Sequence, residues 1–129
     1  MNTHTALIEV VAVVRSGVDA ALRSLAAECA DESGAITNAA IDKHQVIGYD
    51  LTHLAAQVGE ADVIVERAKN SELDAVLATQ YVCDLVDSAA QTAARYGGFV
   101  NLENTIERTR AWRDPEWWAA AADQLIATG

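Results

Sequence analysis

Aromatic residues make up only 5% of this 129-residue chain, and it holds a single proline, Pro115, beside seven glycines. A many-stranded sheet draws on aromatic and β-branched runs broken by frequent turns, so this scarcity argues against one. Basic residues are also few: nine Lys and Arg stand against 19 Asp and Glu, a net charge of −10. Such a chain repels phosphate backbones and lacks the basic face that an anionic bilayer selects, so neither nucleic acid nor a membrane is an expected partner. The two cysteines, Cys29 and Cys83, form no CxxC pair and no secreted disulfide framework. They are expected to be buried free thiols of a cytoplasmic protein. The apolar run from Ala6 to Val14 is interrupted by Glu9 and preceded by no Lys or Arg. It reads as the start of a core helix rather than as a membrane span or a signal peptide.

What the chain does have is apolar mass: 51% of its residues are hydrophobic, and alanine supplies about a fifth of the total. Alanine-rich sequence with few breakers favours long helices. The length fits one domain, residues 1–129. A first helix is expected from about Thr5 to Ala30, where Leu7, Val11, Val14, Val18, Leu22, Leu25 and Cys29 recur at spacings of three and four. Asp31 to Gly34 ends it, with Gly34 supplying a permissive backbone. A second helix starts near Thr37 or Asn38, both good caps, and runs to Lys69 and Asn70 with a stripe of Ile47, Leu51, Leu54, Val58, Ala61 and Val65. Gly59 lies inside it, which suggests close packing at that point. Ser71 with Asp74 opens a third helix whose stripe is read as Leu73, Leu77, Tyr81 and Leu85, continued by small residues at Ser88, Ala89 and Ala93, while Val76, Val82 and Val86 lie on another side. Tyr96-Gly97-Gly98-Phe99 breaks the chain. A shorter helix follows over Leu102 to Trp112, and Asp114-Pro115-Glu116 starts a last one bearing Trp117 and Trp118. The expected fold is all-α: an antiparallel up-down four-helix bundle with a short extra C-terminal helix.

Few constellations suggest chemistry. Asp50 and His53 make a single D-x-x-H, without the second copy and the extra glutamates of a di-iron bundle, so no metal is expected. Asp84 and Asp87 share a helix face three residues apart and could raise each other's pKa, or simply form the exposed side. Trp112, Trp117 and Trp118 read as an anchor for the C-terminal helices or as a binding surface.

The stretch from Ala89 to Asp114, AAQTAARYGGFVNLENTIERTRAWRD, resembles the end of the C-terminal helical domain of the acyl-CoA dehydrogenase family. The elements that carry the likeness are Gly97-Gly98, Thr105-Ile106-Glu107-Arg108 and Arg113-Asp114. Lys43-His44-Gln45-Val46-Ile47, followed by Leu51, Leu54 and Ala55, looks like the second helix of that domain. The resemblance covers residues 5–114. It implies the four-helix bundle of that domain. It also implies that the chain corresponds to one of three domains that together hold FAD and an acyl-CoA thioester, the others coming from a larger dehydrogenase-like partner chain.

The sequence departs from the family in three places. Asp31-Glu32-Ser33-Gly34 stands where the family offers an arginine to the flavin diphosphate, Ala94 replaces a common glutamine, and no Glu-Gly-Thr follows Arg113-Asp114. The expectation is therefore a detached small subunit of an acyl-CoA dehydrogenase-like flavin oxidoreductase. The isolated chain is expected to bind no cofactor, with FAD taken up only at an interface shared with a partner, near Tyr96, Gly97 and Gly98. No catalytic residue is assigned. The alternatives are a non-catalytic oligomerisation bundle, or a repurposed small enzyme with a pocket around Tyr81, Asp84 and Asp87. A helix apolar on more than one side points to a homo-oligomer.

Overall fold

Helix α1 spans Thr3–Cys29 and buries Leu7, Val11, Val14, Val18 and Cys29 from its expected stripe, with Val10 and Ala21 beside them. Leu22 and Leu25 are half-buried. These are coordinates of a computed structural model, which describes residues 3–96 and 102–114. After α1, the Asp31 carboxylate accepts from the backbone N–H groups of Ser33 (2.9 Å) and Ala35 (3.1 Å) and from the Ser33 hydroxyl (2.6 Å). Gly34 completes the turn at φ 87°, a left-handed conformation that a side chain would strain.

The long second helix of the sequence reading is divided. Helix α2 covers Asn38–Lys43 and α3 covers Gln45–Arg67, with His44 between them at φ −107°, ψ 20°. Thr37 caps α2, its hydroxyl oxygen accepting from the Ala40 N–H at 3.2 Å. The break needs neither glycine nor proline. No residue of α2 is buried, so nothing holds that turn collinear with α3, whose buried stripe begins at Ile47. From there Ile47, Leu51, Leu54, Val58, Ala61 and Val65 all face the core, as the spacing predicts.

Helix α4, Glu72–Tyr96, starts where Ser71 accepts from the Asp74 N–H at 3.0 Å and donates to its carboxylate at 2.9 Å. Its inner face keeps Leu85, Ala89 and Ala93 of the expected stripe but not its first two turns. Leu73 and Leu77 are exposed, and Ala78, Val82, Leu85, Val86 and Ala89 are buried. Thr79 is buried with them because its hydroxyl donates to the Ala75 carbonyl at 2.8 Å.

The middle of α1 meets late α3 through Arg15 and Asp62, and late α1 meets early α3 at Leu25 and Gly48, so the two are antiparallel. Early α3 meets the end of α4 through Asp50 and Arg95, so these are antiparallel as well. The core lies among the three, with Leu7, Val14, Leu54, Val58, Val82 and Leu85 in one cluster. The expected helix over 102–112 is a six-residue α5, Glu103–Arg108, followed by a 3-10 turn over Arg110–Arg113. Leu102 and Thr105 press against Gly17 of α1, and Trp112 packs on the core cluster. Gly97 and Gly98, Pro115, Glu116 and the last helix with Trp117 and Trp118 lie outside the described residues. Among the described residues the chain is all-helical, apart from one isolated bridge between Ala30 and Ile36.

Candidate functional site

The antiparallel hairpin of α3 and α4 brings Asp50 to the last turn of α4. There Arg95 Nη1 donates to Asp50 Oδ2 at 2.8 Å, and the Tyr96 hydroxyl donates to the same oxygen. These two bonds, the tyrosine's first, hold the Asp50 carboxyl below the usual carboxylate range. The same bonds push the Tyr96 phenol and the Arg95 guanidinium up. Tyr96 is thus the one member of the expected flavin-side trio whose place is described, and its hydroxyl is directed at Asp50. A groove of about 140 Å³ runs alongside, with Asp50, His53 and Gln57 on one wall and Ser88, Gln91 and Arg95 on the other. The amide oxygen of Gln57 is buried there without a hydrogen-bond partner.

The D-x-x-H does not act as a unit. Asp50 is tied to α4, while His53 stacks on Tyr49 with ring centroids 6.4 Å apart and planes 8° apart. Among the described residues, no three His, Cys, Asp or Glu side chains converge in a metal-binding arrangement. Asp84 and Asp87 are exposed, and neither lines the grooves at α3–α4 or beside α1. Tyr81 turns instead toward α3, its hydroxyl donating to the Glu60 carboxylate and, at 3.4 Å, to the Gln57 carbonyl. Burial and then the Glu60 bond push its phenol up to about 12. The expected pocket around Tyr81, Asp84 and Asp87 therefore has its tyrosine engaged elsewhere.

A larger groove, about 510 Å³, lies between α1 and the C-terminal elements, lined by Ala6, Glu9, Val13, Ser16, Arg108 and Trp112. Its walls mix apolar side chains with Glu9, Ser16 and Arg108. Cys29 and Cys83 are both buried free thiols, and burial, with Asp84 and Asp87 adding their charge, pushes Cys83 up to about 12. Asp31, the acid expected to repel a diphosphate, is engaged by its own turn, and the Ser33 hydroxyl above all holds its carboxyl low.

The Asp50–Arg95–Tyr96 link is absent from the sequence reading. The available signal was the topology: an antiparallel hairpin sets the start of one helix beside the end of the next, and an acid stood at one place and a base at the other. No helix among the described residues is long and apolar enough to cross a membrane. Neither a family model, a curated protein nor a solved structure matches the chain.

Proposed function

We propose that the chain is a helical assembly module that associates with copies of itself. One observation carries this reading: large apolar side chains stand far out of the fold, with Val46 at 69%, Tyr49 at 72%, Val63 at 58%, Leu73 at 66% and Leu77 at 52% exposure. Exposed apolar side chains repeated along two adjoining helices favour contacts with another surface. Drawing on the resemblance, we read the three long helices as the main part of an up-down four-helix bundle of the acyl-CoA dehydrogenase C-terminal type. The module then serves as the small subunit of a flavin-dependent oxidoreductase, with a larger dehydrogenase-like chain as partner. FAD would lie at their shared interface near Tyr96, Gly97 and Gly98. The buried free thiols support a reducing compartment, the cytoplasm.

The test is sedimentation of the purified chain at tens of micromolar. An oligomer is expected, and a monomer overturns the self-assembly reading. Co-expression with a dehydrogenase-like chain that lacks its own helical domain tests the subunit reading. A yellow complex of the two is expected, and a partner that binds flavin without recruiting this chain overturns it.

A further inference from the structure

We propose that the groove between α1 and the C-terminal elements holds a small zwitterion with an apolar body, of the class of the apolar and aromatic amino acids. Ala6, Glu9, Val13 and Ser16 follow one another on α1 at spacings of three and four, so they form one row along that helix. Arg108 of α5 and Trp112 of the 3-10 turn supply the other wall. The space of about 510 Å³ between them lies in the range of small-molecule sites, about 300–1,000 Å³. It stays open because α1 presents small side chains there, and Leu102 and Thr105 close on the helix only at Gly17.

Two charged side chains line this space, and neither is ion-paired among the described residues. Arg15, Lys69, Arg95 and Arg110 are each held by an acid, but Arg108 is held by none, and Glu9 holds no base. The two do not pair with each other either. A ligand that satisfies both brings a carboxylate to Arg108, whose planar fork fits two carboxylate oxygens, and an ammonium to Glu9. Val10, which is buried, and the half-buried Val13 and Trp112 receive its apolar body. Net charge decides among the ligand classes. A lone carboxylate or phosphate approaches a chain of −10 and then meets Glu9 beside Arg108. A lone cation meets Arg108. A zwitterion is neutral overall and leaves neither side chain opposed.

The experiment compares three probes by calorimetry on the full chain. Phenylalanine carries both charges, 3-phenylpropionate lacks the ammonium, and 2-phenylethylamine lacks the carboxylate. Phenylalanine is expected to bind with a Kd of about 1 mM or tighter, and each of the other two at least about tenfold more weakly. Glu9→Gln is expected to bring 3-phenylpropionate level with phenylalanine, and Arg108→Gln to do the same for 2-phenylethylamine. Both side chains are exposed, so far-UV ellipticity should be unchanged in each variant. Failure of phenylalanine, leucine and tryptophan to saturate the chain by about 10 mM overturns the site. Wild type that takes 3-phenylpropionate or 2-phenylethylamine as tightly as phenylalanine overturns the zwitterion. A preference for phenylalanine that survives in both variants shows binding elsewhere and overturns the assignment to this groove.

Discussion

A Cβ on Gly17 would stand 2.1 Å from Thr105 Oγ1 and 3.0 Å from Leu102 Cδ2, and both of those residues are buried with little room to move. Gly17→Ala is therefore expected to cost about 1–3 kcal/mol of folding stability, read from the urea midpoint. Gly59 is the opposite case. The sequence suggested close packing there, but the glycine is exposed and nothing lies within 4 Å of an added Cβ. Gly59→Ala should raise stability by about 0.5–1 kcal/mol, because it removes only the backbone freedom of the unfolded chain. At Asp50 the sign follows from the lowered pKa. A carboxyl held down in the fold contributes stability above its unfolded value, 3.8, and loses that contribution as pH falls through the folded value. The stability gap between wild type and Asp50→Asn should be full near neutral pH and shrink as pH falls below 3.8 and through the lower folded value. A gap that persists in acid would show that the Arg95 and Tyr96 bonds do not depend on the charge.

Among the helices, α4 shows where periodicity stops being informative. It carries apolar residues on two sides, so spacing alone admits two stripes, and the choice between Leu73–Leu77 and Val82–Val86 falls to what the neighbouring helices cover. Leu85 is fully buried and Leu77 half exposed, eight positions apart on one helix. Leu85→Ala should cost about 2–5 kcal/mol of folding stability, and Leu77→Ala under about 0.5 kcal/mol, in denaturation of the dilute chain. The stripes of α1 and α3 were legible because their core residues keep an unbroken spacing of three and four, and all six α3 positions fell as read. Ser71 and Thr37 were legible as caps because capping is chemistry local to four residues. The division at His44 was not, since it comes from a lack of anchoring for α2 rather than from a breaker. The link from Asp50 to Arg95 and Tyr96 depends on residues some 45 positions apart and appears only once the hairpin is formed.

For the molecule as a whole, the proposed need for a partner carries a prediction about flavin. Flavin diphosphate needs cations or free N–H groups. Arg95 is neutralised by Asp50, and the Asp31 turn spends its N–H groups on its own carboxylate. Titration of FAD into the purified chain should show no saturable binding in the micromolar range. Saturable quenching of flavin fluorescence without a partner would make the chain a flavoprotein in its own right.

The C-terminal elements touch the rest of the fold through Leu102 and Thr105 against Gly17, through Ile106, and through the half-buried Trp112 on the core cluster. All three tryptophans of the chain occur at positions 112, 117 and 118, and α1, α3 and α4 contain none. Indole emission therefore arises from the C-terminal stretch of the sequence, where Trp112 reports on its contact with the core cluster, and far-UV ellipticity reports on the three long helices. The two signals form a natural pair of independent thermometers. Because the seats of Leu102 and Trp112 are built from α1 and its core, the C-terminal elements have no support once those helices part, and both transitions should share one midpoint. An emission change that runs ahead of the ellipticity would instead reveal two cooperative units in a chain of this length.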